Sequence, residues 1–162
     1  MLGVICLNKA KLPVELHIHT QDSRFDSVVS VNDLADKLSE FGCKKVAITE
    51  HGVLTSIDSA NIALQEKGIE LVPALEAYVR LRETTILHDQ YQNIDGRGHM
   101  CIFAKDKLGY QAIKEACTDS FECMERKIPV MNQEILEKYF GEHGYGHDHV
   151  IASSACISGV LS

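Results

Sequence analysis

Short apolar runs that suit buried strands alternate along this chain with stretches whose apolar residues recur at helical spacing, and that alternation limits the fold more than any other feature. After the extended run Val14-Glu15-Leu16-His17-Ile18-His19-Thr20, Asn32 is placed to cap a helix in which Leu34, Ala35, Leu38 and Phe41 share a face, ending at Gly42. Residues 45–49 read as a buried strand and residues 55–67 as a helix stopped by Gly68. Residues 69–73 and 75–79 follow as two strand-like runs divided at Pro73. Residues 82–98 are polar and turn-rich, as in a long loop. A strand at 99–104, helices around 107–117 and 132–140, and a last strand at 150–152 complete the pattern. The expected fold class is α/β, built from βαβ units on a largely parallel sheet or barrel. In such folds the chemistry collects beyond the carboxyl ends of the strands.

With 162 residues, 45% of them hydrophobic and 24% charged, the chain suits about one globular domain. No apolar run approaches the ~18 to 20 residues of a membrane span. Residues 1–12 lack the organisation of a signal peptide, so the expectation is a cytoplasmic protein with no membrane partner. Cys6, Cys43, Cys101, Cys117, Cys123 and Cys156 are scattered through apolar segments without C-x-x-C spacing, which reads as reduced thiols rather than a disulfide framework. A net charge of −7 argues against a chain whose main task is gripping a nucleic-acid backbone.

Side chains with metal-ligand chemistry recur at the expected strand ends. His17 and His19 lie at positions i and i+2 of an extended run, which projects both imidazoles to one side about 6.5 Å apart. Thr49-Glu50-His51-Gly52 follows the next strand, Glu76 sits in the strand after Pro73, and Ser153-Ser154-Ala155-Cys156 follows the last strand. His99 opens its strand instead of closing it, which conflicts with a cluster at one end only. Each position also has a plain structural reading. Asp26 serves equally well as a turn cap before the 32–42 helix, and Cys156 is an ordinary buried thiol unless a metal is beside it. His88, His143, His147 and His149 have no supporting motif, and the last three fit mobile surface positions.

Taken in order, Val14 to Thr20 with its two histidines, Asp26, Ala47-Ile48-Thr49-Glu50-His51-Gly52, Glu76-Ala77-Tyr78, His99, Ala104-Lys105 and Gly109-Tyr110 resemble the PHP domain, the polymerase and histidinol phosphatase family. The Glu-Ala-Tyr phrase, Phe103 to Tyr110 and Ser154-Ala155-Cys156 are most similar to the N-terminal PHP domain of bacterial DNA polymerase III alpha subunits. The resemblance implies a distorted (β/α)7 barrel holding up to three divalent ions, Zn, Mn or Fe. It assigns them to His17, His19, Asp26, His51, Glu76, His99 and Cys156, with Glu76 bridging. Glu50 is a departure, because the family usually has Asp before that histidine. The last family motif, Asp-x-His, has no counterpart before Ser162; Asp148-His149 is no substitute, since neighbouring strand residues face opposite ways.

The barrel is therefore expected to be incomplete here, with residues 1–162 forming the N-terminal part of a single PHP domain within a longer polymerase chain. The implied reaction is phosphoester hydrolysis of the 3′ to 5′ exonuclease or pyrophosphatase type, with water activated at the ion cluster as attacking group and no side chain assigned as catalytic. DNA or nucleotide phosphates are the implied substrates; the remaining polymerase domains and a proofreading exonuclease subunit are the implied partners. The alternatives are a non-catalytic structural module of the polymerase and a stand-alone histidinol-phosphatase-like enzyme, which would carry histidine rather than Cys156. Polymerisation itself has no acidic triad or basic groove in these residues.

Overall fold

The computed structural model describes residues 14–23, 26–81 and 97–155. Its elements run α1 (Val31–Glu40), β1 (Lys45–Ile48), α2 (Ile57–Glu66), β2 (Glu70–Arg80), β3 (Gly98–Ala104), α3 (Lys107–Ser120), β4 (Met131–Asn132), α4 (Gln133–Phe140) and β5 (Val150–Ser154). The strands join in the order β1-β2-β3-β5, with β4 on β2. Among the described residues the sheet is an open arc, consistent with the incomplete barrel anticipated from the sequence. None of its helices is long and apolar enough to cross a membrane.

The sheet is mixed rather than largely parallel. β1 and β4 run parallel to β2, whereas β3 is antiparallel to both β2 and β5. That sense removes the difficulty with His99. Because β3 starts beside the end of β2, Tyr78 faces His99 across the ladder, and a residue that opens a strand reaches the same rim as one that closes its neighbour. β2 also continues through Pro73 as one strand of 11 residues. The β3 ladder begins only at Ala74, so the missing N–H of Pro73 falls where β3 asks for no bond. The Val14–Thr20 run lies alongside β1 without forming a full ladder. It makes a parallel bridge at Glu15, and Ala47 N–H and Thr49 N–H donate to Glu15 and Ile18 carbonyls at 2.8 and 2.9 Å.

Alternation along the strands divides the core. Leu75, Ala77, Val79 and Ile102 turn one face towards α3 and α4, where they pack on Ile113, Ala116, Ile135 and Tyr139. The opposite face carries Ala47, Ala74, Cys101 and Phe103. α1 and α2 cover β1 through Ala35, Leu38, Val46, Ile48, Ala60 and Leu64. Ser30, not Asn32, caps α1: its hydroxyl accepts from Asp33 N–H at 3.1 Å, two residues ahead of the expected position. The 82–96 part of the expected loop lies outside the described residues, as do Cys6, His88 and Cys156.

Candidate metal centre

Following the face that carries Ala74 and Cys101 towards the end of β2, the residues change from apolar to polar. Ala74 gives way to Glu76 and Tyr78 on β2, while β3 presents Cys101 and His99 opposite them. The chain leaving β1 adds His51, bridged to Glu76, and the Glu15–Thr20 segment adds His17 and His19 from beyond β1. Strand alternation thus delivers side chains distant in sequence to one rim.

Glu76 is the centre of this rim. Its side chain is 1% exposed, and both carboxylate oxygens are used. Oε2 lies 2.7 Å from His17 Nε2, 3.1 Å from His19 Nε2 and 3.7 Å from His51 Nδ1, while Oε1 lies 2.9 Å from His99 Nδ1. Asp26 reaches in from the solvent side, with Oδ2 3.0 Å from His51 Nε2 and 3.6 Å from His19 Nε2. Asp26 therefore faces the cluster, and α1 is capped by Ser30 instead. The rings also pack on one another: His19 stacks on His51 with centroids 4.5 Å apart, and Tyr78 contacts both His51 and His99.

Electrostatics follow from this crowding. Burial by itself would raise the Glu76 carboxyl, but hydrogen bonds with His19, His99 and His17 and the nearby His51 outweigh it and hold the group well below the usual carboxylate range. Burial lowers His19, yet its bond to Glu76 prevails and leaves the imidazole raised. Burial dominates at His51 and leaves that ring below its ordinary value.

The ligand-type atoms fall into three overlapping groups, each within 4.8 Å of one another: His17, Glu76 and Cys101; His19, Asp26 and His51; His51, Glu76 and His99. Imidazole and carboxylate donors of this kind suit a divalent cation. His51 Nδ1 supplies an independent sign of fit, because it is buried and makes no hydrogen bond. Of the seven positions expected from sequence, six converge here and Cys156 lies outside the described residues. Tyr78 and Cys101 were not foreseen; both sit two residues along a strand from a foreseen ligand, and period-two alternation is the signal that points to them. The 143–149 histidines belong to none of the groups among the described residues. His149 pairs with Asp106 at 2.6 Å, and His147 bonds to the Phe140 carbonyl at 2.9 Å.

Glu50 stands behind the cluster and is fully buried. It accepts from Thr20 N–H at 3.1 Å, from the Thr20 hydroxyl at 2.5 Å, from the Ser56 hydroxyl at 2.8 Å and from the Ser23 hydroxyl. Nothing in the spacing of Ser23 or Ser56 announces this convergence, since it depends on how two loops fold over one carboxylate.

Comparison with known proteins gives a consistent result. The PHP domain family matches residues 15–162. The DNA polymerase III subunit alpha of Helicobacter pylori is 28% identical over 156 residues, covering 96% of this chain and 12% of that protein. The corresponding subunit of Aquifex aeolicus is 31% identical over 152 residues, covering 91% of this chain and 12% of its own length. The chain therefore spans about an eighth of these relatives. Among solved structures, an amidohydrolase from Chromobacterium violaceum, with bound sulfate and no metal, aligns over 67% of this chain and 33% of its own. The TM-score is 0.50 at 17% identity, a likeness of fold alone.

Proposed function

This chain belongs to the PHP domain family, and on that premise we propose that it is a metal-dependent phosphoesterase domain of a bacterial replicative DNA polymerase of the polymerase III alpha type. The observation that carries the proposal is the convergence of four imidazoles on one almost inaccessible carboxylate, Glu76, with Asp26 set against two of them. A purely structural cluster has little use for an unbonded, buried His51 Nδ1.

His17, His19, Asp26, His51, Glu76 and His99 would hold the ions, with Cys156 a further ligand at the last strand end. Mixed imidazole and carboxylate donors favour Zn, Mn or Fe over Mg, which prefers oxygen and keeps its waters. Such ions, when bound, neutralise charge developing on a phosphoryl group and lower the pKa of coordinated water. The chain's own residues set up that chemistry. Glu76 directs Oε2 to His17 and His19 and Oε1 to His99, so a single carboxylate can serve two neighbouring positions. Tyr78 packs its ring against those of His51 and His99 and so helps hold both in place. Asp26, with its side chain 48% exposed, marks the open side from which substrate arrives.

The substrate class is a phosphoester of DNA or of nucleotides, with exonuclease or pyrophosphatase chemistry. Polymerisation belongs to other domains of the same polymerase, a cytoplasmic protein with a proofreading exonuclease as partner. The test is metal analysis of protein purified without added metal, followed by a phosphodiesterase assay of wild type and His19→Ala. Bound metal with hydrolysis that falls at least about 100-fold in His19→Ala supports the enzyme. Stoichiometric metal without hydrolysis leaves a structural module, and absence of metal defeats the enzyme and leaves only a module that works without ions.

A further inference from the structure

Glu50 has no access to solvent, yet it belongs to none of the three ligand groups. A carboxylate buried so completely persists only where enough donors replace its water. Those donors come from Thr20 and Ser23, in the turn directly after His19, and from Ser56, directly before α2. Ser56 is the residue placed to cap α2, but its side chain makes no cap bond and donates to Glu50 instead. α2 thus forgoes a cap to complete the shell of a carboxylate one residue from His51.

Ser23 links that shell to the cluster. Its hydroxyl donates to Glu50, and its oxygen accepts from His19 Nδ1–H and from the His51 backbone N–H, each at 3.1 Å. One donor and two acceptor sites are all a hydroxyl has, so Ser23 is fully committed and can turn no other way. With Nδ1–H of His19 engaged, Nε2 is the only ring atom left for a ligand bond. It points at the shared centre, 3.1 Å from both Glu76 Oε2 and His17 Nε2.

We infer that Glu50 and Ser23 are positioning residues of the metal centre: Glu50 orients the Ser23 hydroxyl, and Ser23 fixes the His19 ring with Nε2 inward while holding the backbone of His51. This rests on the reading of the cluster as a metal centre and adds what holds two of its ligands in place. Groups that accept the distal N–H of a metal-binding histidine set its orientation and basicity.

The test measures zinc affinity by competition with a chromogenic chelator, and the melting temperature of the metal-free protein, for the full chain as wild type, Ser23→Ala, Ser56→Ala and Glu50→Gln. Ser23→Ala and Ser56→Ala each remove one donor to Glu50, but only Ser23→Ala also releases His19 and His51. Ser23→Ala is expected to bind zinc about 10- to 100-fold more weakly, and Ser56→Ala within about threefold of wild type, with similar metal-free melting temperatures for the two. Glu50→Gln should follow Ser23→Ala; if it does not fold, the serine pair decides alone. Unchanged affinity in Ser23→Ala overturns the inference, as does loss of affinity in both serine variants in step with their metal-free melting. A wild type that binds no zinc removes the metal-centre reading itself, which is a different result from a wild type and Ser23→Ala that bind equally well.

Discussion

Cys117 shows what burial does to a side chain that no ligand group includes. The thiol lies on α3 at 7% exposure, with its sulfur 3.5 Å from the Gly52 carbonyl oxygen, and burial pushes it from 9.0 to about 11. The folded state therefore keeps its proton at pH values where the unfolded chain has released it. Stability from this group is complete below pH 9 and is lost as pH rises towards about 11. Urea unfolding at pH 8 and pH 10 should show a larger drop in midpoint for wild type than for Cys117→Ser, whose hydroxyl does not titrate there. Equal drops would remove Cys117 from the alkaline limb. Such a thiol was recognisable in sequence as core filler among apolar neighbours, and His17 and His19 were recognisable from their spacing. Ser23 was not, because its worth lies in a meeting of His19, Glu50 and His51 that no local pattern encodes. The same holds for Glu50, which read only as a departure from the family's usual Asp and proves to be a buried acceptor.

Elements pack through specific points of contact, and Gly109 is one of them. It lies in the first turn of α3, where a Cβ would fall 1.9 Å from the His149 carbonyl oxygen, a backbone atom with no rotamer to yield. Asp106 caps the same turn through Leu108 and Gly109 N–H and pairs with His149, so this end of α3 is held from two directions. Gly109→Ala should cost at least about 3 kcal/mol in chemical denaturation, the upper end for overpacking. Gly68→Ala supplies the contrast, since φ is +67° but a Cβ would meet nothing within 4 Å, and about 1 kcal/mol is expected. A Gly109→Ala cost no larger than that of Gly68→Ala would show that α3 shifts freely against the 147–149 turn. At this scale the four helices and the strands around 45–49, 99–104 and 150–152 were legible, because periodicity depends only on nearby residues, whereas the two-residue β4 was not. The sense of β3 was not: local sequence does not distinguish a parallel from an antiparallel neighbour, and the ladder to β2 decides it. Pro73 likewise read as a break because the sequence does not disclose that β3 starts to pair only at Ala74.

Across the whole molecule, the cluster joins parts of the chain that are far apart in sequence. His17, His19 and Asp26 come from the segment before α1, whereas Glu76 and His99 belong to the central strands. That first segment meets β1 through the Glu15 bridge and backbone bonds at Glu15 and Ile18, and it leaves Val14, Leu16 and Val28 exposed. Among its described residues, Ile18 packs against the core beside β1, and Thr20 and Ser23 bond to Glu50. Ions held between the two parts would act as a clasp, and a ligand that binds only the folded state stabilises it by mass action. Free zinc at 100 times its dissociation constant should contribute about 2.7 kcal/mol and raise the melting temperature by about 5 to 10 °C. Hydrogen exchange locates the effect. Chelation should speed exchange at residues 14–23 and 26–29 first, while the amides of β2 and β3, which sit in the core beneath the rim, change little below global unfolding. A uniform loss of protection on chelation, or one centred on α3 and α4, would mean that these side chains do not clasp the first segment to the sheet. Protection lost selectively in that segment, and restored by zinc in wild type but not in Glu76→Gln, would place the clasp at the carboxylate the four imidazoles share.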